Sequence, residues 1–228
     1  MINIYSLPDP IINVDYENVY APSEDSFLII DYFKDCYTRD FFDRMDMKKI
    51  KNVLDMGTGT GILAIFLQML KAQHPLFNPM IYASDIIEEA LECAKNNEIF
   101  NNFNENISFI RSNLFESFPK SLKNAFNMIV FNPPYLPSSE LVEQNERKAP
   151  IDHSWDGGKG GYEVFSRFLE DVKDFMDHDD CVIYYISSSR VDLDNLSKLI
   201  DKNGFSGQVL NRKHAFFEDI ILNKLTLV

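Results

Sequence analysis

From about residue 51 onward the chain predicts an α/β fold: a mostly parallel sheet with helices on both faces. Three observations predict it. Strand-like and helix-like segments alternate along the sequence, the pattern of βαβ units. The central strand-like runs are apolar throughout rather than alternating, as burial on both faces requires. The 228 residues are 45% hydrophobic, enough for one sizeable core.

The elements follow in order. KNVLDMG (51–57) is a short apolar run ending in glycine, and GILAIFLQMLKAQ (61–73) has helical length and composition. MIYASD (80–85) is the next strand and IIEEALECAKNNEIF (86–100) the next helix. ISFIRSN (107–113) and FNMIVFN (126–132) read as strands. In GYEVFSRFLEDVKDFM (161–176), Val164, Phe165, Phe168, Leu169, Val172 and Phe175 recur on one helical face. CVIYYIS (181–187) is a fully apolar strand, LDNLSKLIDKNG (193–204) a helix stopped by Gly204, and FFEDIILNKLTLV a final strand or hairpin arm. One long irregular segment, 133–160, carries Pro133, Pro134, Pro137 and Pro150 and leads into glycines 157, 158, 160 and 161. It follows the C-terminal end of a strand, where α/β sheets bind ligands.

Composition narrows the function classes. The formal charge is −13, from 22 Lys+Arg against 35 Asp+Glu, and an acidic surface disfavours naked nucleic acid as a substrate. Cys36, Cys93 and Cys181 are scattered among apolar neighbours without metal-ligand spacing, so buried free thiols and no zinc site are expected. The N-terminus lacks the pattern of a signal peptide, and no stretch of about 18 apolar residues occurs. A cytoplasmic protein with no membrane contact is expected, with a single domain over 1–228 whose residues 1–50 form an extension packed near the ligand site.

The sharpest motif is VLDMGTGTGILA (53–64), which places Asp55, Gly57, Thr58, Gly59 and Gly61 at a strand-to-helix turn. Glycines allow unusual backbone angles and close ligand approach, and the amides opening the following helix suit a carboxylate. The dinucleotide fingerprint would need glycine at position 62, which is Ile62. The D-x-G-x-G-x-G form resembles motif I of class I S-adenosylmethionine-dependent methyltransferases. That resemblance implies their Rossmann-like fold, with a seven-stranded sheet, and S-adenosylmethionine as cofactor. Asp85 ends the next strand, where an acid can accept both ribose hydroxyls; it also suits a helix cap. Asn113 ends the third strand, where the resemblance places an adenine contact that is commonly Asp; Asn can accept from the exocyclic amine only through its carbonyl oxygen.

The fourth strand ends in Asn132-Pro133-Pro134-Tyr135, the N-P-P-Y tetrapeptide of methyltransferases that modify planar nitrogens. The Asn132 side-chain oxygen and the Pro133 carbonyl can accept the two protons of an NH₂ group. The prolines stiffen the turn and Tyr135 can pack on the flat target. Positioning then supplies much of the catalysis, and no strong base is needed.

The wider pattern selects among planar nitrogens. VYAPSEDSFLIIDYF (19–33) and DHSWDGGKGGYEVFSRFL (152–169) resemble segments that flank these motifs in HemK-like glutamine methyltransferases, in the short archaeal and eukaryotic branch without an N-terminal helical domain. The resemblance implies methylation of the glutamine in the Gly-Gly-Gln loop of a class I translation release factor, with a small zinc-binding activator subunit as partner in a heterodimer. Carried over by position, the cofactor-contacting set is Glu24, Asp25, Ser26, Asp55, Gly57, Thr58, Gly59, Gly61, Asp85, Ile86, Asn113, Leu114 and Asn132. Asn132 to Tyr135 would hold the glutamine. Ser23, Glu24 and Asp25 also make an ordinary helix start, and Trp155 with its glycines reads equally as an anchored surface turn or as a substrate contact. N-methylation of an adenine or guanine amine, and a non-catalytic binding subunit of the same fold, are the competing functions. The activator is expected to cover the third strand: ISFIRSNLFESF (107–118) is rich in aromatics and lies at a sheet edge in this class of fold.

Overall fold

The computed structural model describes residues 7–138, 151, 154–215 and 217–228. Helix α1 (Glu24–Cys36) precedes a small hairpin, β1 (Phe41–Phe42) and β2 (Met45–Asp46). Then β3 (Asn52–Met56), α2 (Ile62–Gln73), β4 (Met80–Asp85), α3 (Glu88–Phe100), β5 (Ile107–Arg111) and β6 (Met128–Phe131) follow. A short pair, β7 (Leu136–Pro137) and β8 (Asp156–Gly158), lies within the segment expected to be irregular. The chain continues through α4 (Glu163–Asp171), β9 (Val182–Ser188), α5 (Leu193–Lys202), β10 (Phe205–Ala215) and β11 (Glu218–Leu227).

Seven strands form one sheet in the order β10-β11-β9-β6-β3-β4-β5. The five strands from β9 to β5 run parallel; β11 runs antiparallel to them, and β10, antiparallel to β11, runs in their direction again. Because side chains alternate along a strand, an all-apolar strand serves two cores. Val53, Met128, Val130 and Tyr184 face one core with α1 and α2, while Leu54, Ile129, Ile183 and Tyr185 face the other with α4 and α5. The expected fold class is therefore the one found. The order of strands reverses at β3: β4 and β5 extend one way, β6 and β9 the other. That is the switch point at which open α/β sheets bind ligands.

Some expectations need correction. The helix expected over 161–176 ends at Asp171, and a 3-10 turn covers Val172–Asp174. The apolar spacing from Val172 to Phe175 is three residues, which a 3-10 turn keeps on one side. All three cysteines are free, but only Cys93 is fully buried; Cys36 and Cys181 are half-buried because they lie at element ends. Pro150, Asp152 and His153 of the long segment lie outside the described residues. Among the described residues, no helix is long and apolar enough to cross a membrane.

Asn97 on α3 and Asn101, which caps its C-terminus, fasten the segment before α1. Asn97 accepts from the Asn13 amide (2.9 Å) and donates to the Asn13 carbonyl (3.1 Å). Asn101, one turn on, does the same with Ile11 (2.9 and 2.7 Å). Each side-chain amide thus pairs with a backbone as a neighbouring strand would, and Val19 packs on Ala90 and Cys93 beside them. This brings residues 18–20 to the C-terminal edge of the sheet.

Candidate active site

A cavity of about 430 Å³ opens at the C-terminal ends of β3, β4, β5 and β6, within the size range of small-molecule sites. Its floor is the turn after β3. Gly57, Gly59 and Gly61 have φ of 66°, 54° and 83°, a backbone region in which L side chains are strained. At Gly61 a Cβ would also lie 2.9 Å from the Ala94 Cβ, so glycine lets α2 begin hard against α3. The Thr58 amide donates to the Ser84 carbonyl (2.9 Å), tying the turn to β4.

Two carboxylates hold this turn in different ways. Asp55 is buried, and its Oδ2 accepts from the Thr58 hydroxyl (2.7 Å) and the Ala64 amide (3.1 Å). Burial pushes its carboxyl up to about 7, because the charged form loses hydration. Asp85, at the end of β4, accepts from the Gly59 amide on Oδ2 (2.9 Å) and the Ile87 amide on Oδ1 (2.9 Å). These bonds orient the Asp85 carboxylate at the rim of the cavity it lines.

Of the expected residues, Asp25, Ser26, Gly57, Thr58, Gly59, Asp85, Ile86, Asn113, Leu114 and Asn132 to Tyr135 line the cavity together. Three do not. The Glu24 carboxylate turns away and pairs with Lys213 on β10, since adjacent residues of a helix face different directions. Asp55 and Gly61 lie beneath the lining, as supports of the turn. The Asn113 Nδ2 donates to Glu116 (2.8 Å), so its acceptor oxygen is the end left for a ligand amine. Asp85 lines the cavity and accepts from the Ile87 amide, and the residue that caps α3 is Ile87 rather than Asp85.

Sequence reasoning missed Asn18, Val19 and Tyr20, Ile87 and Ala90, and Val164 and Arg167 of α4, all of which line the cavity. No local motif marks them; the lacing by Asn97 and Asn101 and the docking of α4 bring them there. Trp155 and Asp156 also line it.

The Asn132 Oδ1 is buried and has no hydrogen-bond partner among the described residues. Its neighbour Tyr135 is half-buried and its hydroxyl lies 3.4 Å from Asp25 Oδ2. Burial, then the Asp25 charge, raises the Tyr135 hydroxyl well above the ordinary phenol range, which keeps it protonated. Asp25 is itself buried, and its Oδ1 accepts from the Ser26 amide (2.6 Å) and hydroxyl (3.2 Å). Amides at a helix start for a carboxylate, a carboxylate for two hydroxyls, apolar walls at Ile86 and Leu114, and an amide oxygen for an amine make a donor set that fits S-adenosylmethionine.

The methyltransferase small-domain family matches residues 34–147. A provisionally named protein N5-glutamine methyltransferase of Methanocaldococcus jannaschii is 31% identical over 91% of each chain. The chain belongs to the methyltransferase small-domain family, in the HemK-like group its sequence resembles. The enzyme is an S-adenosylmethionine-dependent methyltransferase. The eRF1 methyltransferase catalytic subunit of Schizosaccharomyces pombe is 28% identical over 87% of this chain and 85% of its own. A chain of the E. cuniculi Mtq2–Trm112 complex, responsible for methylation of the eRF1 translation termination factor, superposes with a TM-score of 0.63 at 20% identity, over 92% of this chain and 99% of that one. This last similarity bears on the fold alone.

Proposed function

We propose that this methyltransferase modifies the side-chain amide nitrogen of the glutamine in the Gly-Gly-Gln loop of a class I translation release factor. The observation that carries the reading is the Asn132 Oδ1, a buried acceptor without a donor among the described residues. Leaving such a group unpaired costs about 1–3 kcal/mol, which a substrate N–H offsets on binding. A glutamine NH₂ has two hydrogens to give. Asn132 Oδ1 takes one and the Pro133 carbonyl the other. The nitrogen lone pair, conjugated in the free amide, is then held toward the cofactor side of the cavity, and the Tyr135 ring packs against the amide plane.

When bound, the cofactor supplies an electrophilic methyl on a sulfonium. The turn at Gly57–Gly59 holds its carboxylate, Asp85 its ribose, and Ile86, Leu114 and Asn113 its adenine. No residue needs to remove a proton beforehand, because an amide nitrogen sheds its proton readily only as it alkylates. Tyr135, kept neutral, is not a base. The relatives named for N5-glutamine and eRF1 methylation support this substrate over a nucleobase, as does the net charge of −13. Release factors work in the cytoplasm, so the reaction is placed there.

We further infer a small zinc-binding activator subunit beside β5. Among the described residues that strand pairs only with β4, and strand addition to such an edge gains main-chain hydrogen bonds. The deciding experiment is methyl transfer to a release factor and to its variant with Ala in place of the loop glutamine, with and without the activator. Methylation of the first and not the second is expected. Equal labelling of both, or preferential labelling of tRNA or duplex DNA, overturns the substrate.

A further inference from the structure

The tetrapeptide Asn132–Tyr135 has few means of holding itself. Pro133 and Pro134 carry no amide hydrogen. The segment 155–161 does the holding. The Leu136 amide donates to the Trp155 carbonyl (3.0 Å) and the Ser138 amide to the Gly158 carbonyl (2.8 Å). The Asp156 carboxylate, buried, accepts from the Ser138 hydroxyl (2.6 Å) and the Gly158 amide (3.0 Å).

The glycines of this turn are placed where the two chains touch. A Cβ on Gly157 would lie 2.5 Å from the Pro134 carbonyl oxygen, and one on Gly161 2.6 Å from that of Tyr135. Both of these obstacles are backbone atoms of the tetrapeptide, and the Gly157 Cβ would also meet the Gly161 carbonyl oxygen at 2.6 Å, so no side chain can swing away to relieve them. Gly161 also has φ of 78°. Behind the turn, α4 is fixed to the sheet: Phe165 stacks on Tyr185 with ring centroids 4.3 Å apart, and Phe168 lies 4.9 Å from Phe131, the residue before Asn132. The turn is thus a rigid piece connecting α4 to the peptide planes of Pro134 and Tyr135.

We propose that Asp156, Gly157 and Gly161 are positioning residues for methyl transfer: they set the orientation of the Pro133–Tyr135 backbone, and so the angle at which the target nitrogen is presented. This rests on the assignment of Asn132–Tyr135 to the target nitrogen. Misplacement on the scale of an ångström costs on the order of 100-fold in rate. The added methyl of Gly157→Ala forces a shift of that size in the tetrapeptide while leaving the floor of the cofactor site alone.

The test measures kcat, KM for a release-factor substrate and S-adenosylhomocysteine affinity by calorimetry, for Gly157→Ala, Gly161→Ala and the exposed control Lys159→Ala, each with its thermal midpoint. A fall in kcat of about 100-fold with wild-type affinity for S-adenosylhomocysteine is expected for the two glycine variants, and none for the control. A wild-type kcat in Gly157→Ala overturns the proposal, and so does a loss of cofactor affinity as large as the loss of kcat. If the glycine variants do not fold, Asp156 decides: Asp156→Asn keeps an acceptor oxygen for Ser138 and Gly158 and should retain most of kcat, whereas Asp156→Ala should not. Equal rates in those two overturn it. Failure of the underlying assignment is recognised separately, by full activity in Asn132→Ala.

Discussion

The Tyr135 hydroxyl and Asp25 Oδ2 lie 3.4 Å apart, joining the helix that precedes the sheet to the tetrapeptide that ends its fourth parallel-order strand, β6. The contact is long for an O–H···O bond, so most of what Tyr135 contributes resides in its ring. Tyr135→Phe should lose less than about 1 kcal/mol of transition-state stabilisation, under tenfold in kcat/KM. Tyr135→Ala, which removes the packing surface, should lose considerably more. Equal rates for the two variants in a methyl-transfer assay would refute the packing role.

Asn132→Ala should abolish turnover and leave S-adenosylhomocysteine binding nearly intact, because Asn132 is assigned to the target nitrogen. Single-turnover assays beside calorimetry separate the two quantities. Methylation at the wild-type rate would falsify the mechanism.

Asp85→Ala should weaken cofactor binding by about 1–3 kcal/mol, the cost of losing hydrogen bonds to a charged acceptor. It also frees the Gly59 and Ile87 amides that Asp85 now receives, so the thermal midpoint should fall too. Cofactor affinity that stays at the wild-type value would remove the ribose assignment.

The raised carboxyl of Asp55 gives stability a pH dependence of definite sign. Its folded value, about 7, exceeds the ordinary 3.8, so the native state holds the proton more tightly than the unfolded chain. The contribution is complete below the unfolded value and is lost as pH rises through the folded one. In urea titrations across that interval, the wild type should lose stability relative to Asp55→Asn as pH increases. A difference between the two proteins that does not change with pH would contradict this.

The edge strand β5 leads to an expectation about expression. Ile99 and Phe100, which end the helix packed on it, are each 58% exposed. The chain produced alone should be poorly soluble or nearly inactive, and co-expression with the activator should restore both properties. A monodisperse, fully active monomer would dispose of the partner and leave the methyltransferase untouched. Phe115 and Phe118, which the sequence placed with this edge, are instead buried against Phe168 and Phe175.

What the sequence made legible was what depends on local rules. The glycines at 57–61 need a special backbone, and the prolines at 133–134 stiffen theirs, so both show in one-dimensional pattern. So does burial on both faces: β3, β4, β6 and β9 could be read as apolar runs. β10 could not, because eight of its eleven residues are exposed; Gln208, Arg212 and Lys213 lie on an edge strand, and solvent imposes no alternation there. Asn97 and Asn101 look like ordinary polar positions on a helix, and only the path of residues 11–13 beside them gives them work. Glu24 was placed with Asp25 by position in a motif, whereas neighbouring helical side chains diverge. Gly157 and Gly161 were visible as glycines, but the carbonyls that require them, those of Pro134 and Tyr135, belong to a segment well before them in the chain.

The order of strands at the far edge has a consequence for synthesis. Among the described residues, β10 hydrogen-bonds to the sheet solely through β11, and β11 is inserted between β10 and β9. The strand made first is therefore attached last. While a ribosome is extending the chain, β9 has an open side and β10 has nothing to join, so both strands stay unmatched there until residues 218–227 have emerged. Chaperone occupancy on stalled nascent chains should fall abruptly once that segment clears the exit tunnel.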